Sequence, residues 1–535
     1  MGGGLFFPLR LYLPEEMEIS AEAVKDVCPG AFTVLTDSGV QKGSCLAEHR
    51  AAVGAEESGS QIFFSYDGKQ PPEGYEVRIG KRRVEISYSK SSGAFYALVA
   101  LWQMYAGEER LAPGAFSEAP AFCGRGFMLD VSRGKTPLPE TLEHLVNLLA
   151  RMRYNQFQLY MEGFSFAYPS FPGLWKEESS LSPEEIRHLD VFCRERFIEL
   201  VPNQNALGHM APWLARGEYA SLAECEEGFS YGGFTLPATT LDPEDILFLE
   251  WGYEKEHPFE ERCGRLKEAG KRFYVCPGTS SWNTFTGMTD NMLLNIDHAI
   301  SAAKSFDAEG VLLTDWGDGN HMQQLPFSYG PVVYCGIRAW NPDVEISREK
   351  LGHLLDAYIF MDRAGKMGEI VLAAGDYWKM EELAMPCHTL AHTVFAGGIR
   401  DDVSYEQNLG LTKRMLEILC LPQVAAAYPM EDLSLQPESA LGAADFLEDL
   451  WERLAETDPW CADGALTRRE LENGIAMAEF FCRYRASLAR QRAEAGDRER
   501  SEELEGIVEE YQRLWKIRNK EGGLRTGTEM LRRFE

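Results

Sequence analysis

A chain of 535 residues is too long for one compact core and calls for two or three domains. Its net charge of -30, from 53 basic and 83 acidic residues, argues against nucleic acid or an anionic membrane surface as partner. The start MGGGLFFPLRLYLPEE lacks the basic-then-apolar form of a leader, and no apolar run reaches the length of a membrane span. The twelve cysteines are scattered without a CxxC pair, so the reading is a cytoplasmic protein with reduced thiols, no cofactor and no metal site.

Residues 1–120 read as a small α+β domain. YEVRIG and RRVEISYS form a hairpin around Gly80-Lys81, and SSGAFYALVALWQMYAG forms a helix with Phe95, Leu98, Leu101 and Met104 on one stripe. The proline-bearing LAPGAFSEAPAF reads as a linker. From 121 to 344 apolar strands alternate with amphipathic helices, the pattern of a parallel βα sheet. Six strands are expected, at 125–131, 155–161, 198–204, 246–252, 273–278 and 310–316. Between them, Ser182-Pro183-Glu184-Glu185 reads as a capping box with a Leu181–Ile186 staple, Pro258 and Gly270 bracket a helix, and Thr289 reads as a cap. Residues 345–535 read as an α-helical domain for packing or dimerisation. Its last long helix carries Leu504, Ile507, Val508, Tyr511, Leu514 and Trp515 on one face and Glu509 with Arg513 on the other.

In a βα barrel the chemistry sits at the carboxyl ends of the strands. Those ends offer Asp130 and Arg133, then Glu162, then Asn203 to Asn205 and His209. The later ends offer Glu250, Trp251, Tyr253 and Glu254, then Trp282 and Asn283, then Asp315, Trp316, Asp318 and His321. Any one of these residues can be explained as a loop cap. The set is explained better by a carbohydrate pocket, because aromatic faces stack on pyranose C–H groups while carboxylates and amides bond hydroxyls. No Walker A run, dinucleotide fingerprint or GxSxG elbow competes with that reading, and no HxxxH or HxH spacing supports His209, His257 and His321 as metal ligands.

GRGFMLDVSRGK, NQFQLYMEGFSFAYP, ELVPNQNALGHM, LEWGYE, PGTSSWN and LLTDWGDG resemble, in order, the strand motifs of family 20 glycoside hydrolases. The resemblance covers about residues 65–341 and implies a (β/α)8 (TIM-like) barrel and exo-β-N-acetylhexosaminidase activity. In that mechanism the substrate's acetamido oxygen attacks the anomeric carbon while an Asp-Glu pair on the fourth strand assists. By the resemblance Arg125 clamps ring hydroxyls, His209 supports the catalytic acid, and Trp251 and Trp316 wall the pocket. Asp318 takes a sugar hydroxyl, and Tyr253 and Trp282 complete the substrate-binding set.

The chain departs from the family at one place. It contains no Asp-Glu dipeptide, and its fourth to sixth strands match the family's sixth to eighth. On the order of 60 residues, two βα units, are missing at the join of Asp245 to Ile246. The expected barrel is therefore incomplete, with unpaired edges at 198–204 and 246–252 and a possible homo-oligomer as one way to cover them. The acid that remains to be tried is Glu162, Glu254 or Asp315. The functional expectation is a β-N-acetylhexosaminidase acting on a terminal N-acetylhexosamine. The alternatives are a non-catalytic carbohydrate-binding or sensing protein and a truncated product without stable function.

Overall fold

The computed structural model describes residues 5–6, 8–13, 17–35, 61–107, 110–175, 179–205, 209–214, 216, 219, 229–231, 234–236, 247–381, 383–488 and 497–535. Gly208 and the join of Asp245 to Ile246 lie outside them.

The N-terminal region is a six-stranded mixed sheet built from β1 (Leu9–Tyr12), β2 (Phe32–Leu35), β3 (Gln61–Tyr66), β4 (Tyr75–Ile79), β5 (Arg83–Tyr88) and β6 (Gly114–Glu118). Their order is β2-β1-β3-β5-β4-β6. The expected hairpin is β4 antiparallel to β5. The expected helix is α1 (Ser91–Gly107), in which Phe95, Leu98 and Leu101 are buried but Met104 is 40% exposed. The segment expected to be a linker is instead the edge strand β6, antiparallel to β4. Its prolines, Pro113 and Pro120, flank the strand and leave its ladder intact.

Six parallel strands follow: β7 (Gly124–Asp130), β8 (Gln156–Met161), β9 (Glu199–Gln204), β10 (Phe248–Trp251), β11 (Phe273–Cys276) and β12 (Gly310–Asp315). They pair in the order β9-β8-β7-β12-β11-β10, all parallel. That is an α/β sheet wound as a barrel is, left open between β9 and β10 among the described residues. Helices α2 (Pro139–Arg151), α3 (Pro183–Arg194), α4 (Phe259–Glu268), α5 (Thr289–Ser305) and α6 (Tyr329–Trp340) connect or flank the strands.

Side-chain parity divides the sheet into two faces. Phe127, Leu129, Phe157, Leu159, Phe273, Val275, Val311 and Leu313 join the main core under the helices. Met128, Tyr160, Tyr274, Cys276 and Leu312 form a separate cluster on the other face with Trp282 and Trp316. Glycine makes that second face possible at one point: a Cβ at Gly126 would stand 2.7 Å from a Leu312 methyl.

Local signals place the helices. The capping box at Ser182 forms with both of its hydrogen bonds, a feature worth about 1 kcal/mol. Thr289 does not cap α5: Met288 holds that position, and the Thr289 hydroxyl donates to the Leu372 carbonyl 2.7 Å away. In the helical C-terminal region, α7 (Arg348–Leu355) is followed by longer helices, among them α8 (Gly464–Leu488) and α9 (Asp497–Arg518). The apolar stripe of α9 is buried, and Glu509 pairs with Arg513 at 2.7 Å on its outer side. The end of α9 clamps the loop after β7: Leu138 N donates to Arg518 O and Lys520 N donates to Thr136 O. Among the described residues no helix is long and apolar enough to cross a membrane.

Candidate sugar site at the strand ends

Tyr160, at the end of β8, packs edge-on to Trp316 with ring centroids 4.7 Å apart. Trp251 meets Trp316 at 5.4 Å, and Tyr253 meets Trp282 at 5.2 Å and Trp316 at 6.1 Å. Five aromatic rings from β8, β10, β11 and β12 thus share one wall. Trp251 keeps 39% of its surface exposed, whereas Trp282 and Trp316 are buried. Gly278 permits the close packing, since a Cβ there would overlap the Trp282 ring and stand 3.1 Å from the Tyr253 ring. The Trp316 indole N–H lies near enough to the Tyr253 hydroxyl to favour its phenolate, yet the two miss hydrogen-bonding geometry. Burial outweighs that influence and raises the Tyr253 hydroxyl far above the usual phenol range.

Beside this wall stands a polar cluster centred on Arg133. Its guanidinium lies 2.6 Å from Glu162, 3.4 Å from Asp130 and 3.5 Å from Asp318, and over the Tyr160 ring at 5.9 Å. Glu162 Oε1 also accepts from the Tyr160 hydroxyl at 2.8 Å, and His209 Nδ1 stands 3.3 Å away. Asn205 donates in turn to the Tyr160 hydroxyl at 2.6 Å. Asp130 is fully buried and takes hydrogen bonds from Ser132 and from Gly317 N; burial pushes its carboxyl up to about 6 despite Arg133. Asp318 is the open member, with 43% of its side chain exposed. The arrangement offers hydroxyl acceptors and a forked donor next to aromatic faces, which suits a pyranose ring.

The structure brings together Glu162, His209, Trp251, Tyr253, Trp282, Trp316 and Asp318. It does not bring Arg125. That residue lies at the amino end of β7 with the parity of Phe127, fully buried, and its fork holds Glu73 at 2.8 and 3.1 Å. Arg125 therefore stands apart from the cluster, engaged with Glu73; Arg133, eight residues further along the same motif, is the arginine at the strand end. The motif itself carried the signal, because only Arg133 follows the strand's last residue.

Asp315, one of the candidate acids, also stands apart. It shares parity with Val311 and Leu313, points under the helices, and is satisfied by the hydroxyls of Thr279 and Ser281 at 2.8 Å each. Burial raises the Glu254 carboxyl above the usual range. Among the described residues no group of three or more His, Cys, Asp or Glu is placed to hold a metal.

Residues 13–116 match the family model for glycosyl hydrolase family 20, domain 2, and residues 122–243 match that for the family 20 catalytic domain. The second match stops two residues before the Asp245–Ile246 join. The chain is similar to a beta-hexosaminidase of Porphyromonas gingivalis, 27% identical over 190 residues, covering 30% of this chain and 24% of the relative. It is similar to a beta-N-acetylhexosaminidase of Cellulomonas fimi, 26% identical over 225 residues, covering 37% of this chain and 45% of the relative. The chain therefore spans less than half the length of these relatives. Its fold is shared with a mutant Streptomyces plicatus beta-hexosaminidase solved in complex with product (GlcNAc), at 14% identity and a TM-score of 0.50, over 67% of this chain and 92% of that one.

Proposed function

Because the chain belongs to glycosyl hydrolase family 20 through its domain 2 and the first part of its catalytic domain, we propose that it is a β-N-acetylhexosaminidase-type glycoside hydrolase whose strand ends receive a terminal N-acetylhexosamine. The observation that carries this reading is the Arg133–Glu162–Asp318 cluster set against the Trp251–Trp316 wall. In it the sugar's apolar face lies on Trp251, the open Asp318 carboxylate accepts from ring hydroxyls, and Arg133 donates to them. The Tyr160–Asn205 pair holds Glu162 in place. Buried thiols such as Cys28, Cys193 and Cys276 support a reducing, cytoplasmic setting.

One observation favours a second reading, a non-catalytic sugar binder on the same scaffold. The 535 residues contain no Asp-Glu pair, Glu162 is already engaged by three partners, and Asp315 faces away from the site. Positioned acid–base groups contribute about 10²–10⁴-fold to catalysis, so their absence separates the readings sharply. Release of chromophore from a nitrophenyl N-acetylglucosaminide tests them. The hydrolase predicts turnover at least about 100-fold above a Glu162→Gln, Glu254→Gln double variant. Equal rates would sink the hydrolase and leave the binder, which calorimetric titration with N-acetylglucosamine then examines.

A further inference from the structure

The helical C-terminal region sends one arm to the strand-end site. Residues 385–389 turn tightly, with Met385 and His388 paired in an isolated bridge, and lead into the helix Leu390–Gly397. Cys387 is buried in the same cluster as Trp282 and Trp316, and its thiol lies 3.5 Å from the Tyr253 carbonyl oxygen. It sits in the left-handed region at φ 50°, a costly conformation for a residue other than glycine that persists only where the surroundings fix it. Thr389 N donates to the Asn283 carbonyl at 3.3 Å, in the loop after β11. His392, one turn into the helix, packs on the loop after β12 that carries Asp318: a Cβ at Gly319 would stand 2.5 Å from its Cε1. The arm is therefore held against two of the loops that build the site.

The residue this arm brings is His388, which is half-buried. Burial lowers its pKa below the usual imidazole value, although the Pro386 carbonyl and the Asp318 carboxylate oppose this, so the ring is neutral at pH 7. Its Nδ1–H donates to the Pro386 carbonyl at 2.9 Å, which fixes the tautomer and leaves Nε2 as an acceptor. Nε2 takes no hydrogen bond among the described residues. A neutral imidazole nitrogen near a carboxylate gives two acceptors, and sugar hydroxyls are donors that seek them. Arg133, 3.5 Å from Asp318, supplies the complementary donor.

We propose that His388 is a specificity-determining residue of the sugar site, accepting through Nε2 one hydroxyl of the terminal N-acetylhexosamine beside the hydroxyl that Asp318 accepts. The inference rests on the strand ends being the sugar site. It makes the helical region part of the binding surface, although the sequence motifs of that surface end at Gly319.

Calorimetry on the full chain with N-acetylglucosamine and its 3-, 4- and 6-deoxy analogues tests it. His388→Asn keeps a donor for the Pro386 carbonyl and lacks Nε2. It should bind the parent sugar about three- to tenfold more weakly than the native chain, the loss of one hydrogen bond between neutral groups. With the deoxy analogue that lacks the hydroxyl read by Nε2, the two proteins should bind alike within about twofold, while the other two analogues keep the loss. Circular dichroism checks folding, and His388→Ala serves if the first variant does not fold. The inference is overturned if a folded variant binds the parent sugar as tightly as the native chain, or if it weakens all four sugars by the same factor, as a purely packing role would. A native chain that binds none of the four overturns the strand-end reading itself, and this inference with it.

Discussion

The two faces of the six-stranded sheet are built from the same strands and do opposite jobs. Residues of one parity, from Phe127 to Leu313, vanish beneath helices; those of the other, from Met128 to Trp316, form a smaller cluster that continues into the polar strand ends. The contrast is sharpest within one motif. Arg125 and Arg133 belong to the same twelve residues, yet the first is locked in a buried ion pair and the second stands among Glu162, Asp130 and Asp318. A charged residue's position along the strand and its parity decide whether it serves stability or ligand. Its presence in a motif does not.

That contrast can be broken first at Arg125. Arg125→Ala removes the guanidinium that holds Glu73 and packs on Trp340, and should cost about 3–5 kcal/mol in urea unfolding. Sugar affinity at the strand ends of the folded fraction should stay unchanged. An affinity loss without destabilisation would reverse the assignment.

Asp130 tests the polar side through pH. Its folded-state value is raised by burial to about 6, above the unfolded value, so its contribution to stability is full below the unfolded value and lost as pH rises through about 6. Other carboxylates shifted in both directions shape the native profile, Asp356 and Asp463 among them, so the comparison is with Asp130→Asn: the stability of the native chain relative to that variant should fall by about 1–3 kcal/mol between about pH 4 and 6. A difference between the two proteins that is flat or rises over this window would contradict the buried carboxyl. The smallest effect is expected at Asp315→Asn, which should leave sugar affinity within about twofold, since the side chain faces the helices; a tenfold loss by calorimetry would place it in the site after all.

Much of this was legible in the residues. All six strands fall within two residues of their expected bounds, because parallel strands read as short apolar runs between well-signed helices. The capping box at Ser182 and the buried stripe of α9 followed from spacing alone. Two things were missed. β6 was read as a linker because an exposed edge strand between prolines has no apolar alternation to show. Thr289 was read as a cap because its hydroxyl partner, the Leu372 carbonyl, is distant in sequence. Arg125 was given its role by family position, and Asp315 was named as a candidate acid by tip position; counting in twos from Phe127 and Leu313 places both on the helix-packed parity.

The central claim is that the Arg133 cluster on the exposed strand ends is the sugar site. Calorimetric titration of N-acetylglucosamine into the native chain and into Arg133→Ala addresses it most directly. The account predicts millimolar or tighter binding by the native chain and at least about tenfold weaker binding by the variant, with unchanged folding. Equal affinity in the two proteins, or no binding by the native chain at millimolar sugar, would contradict it.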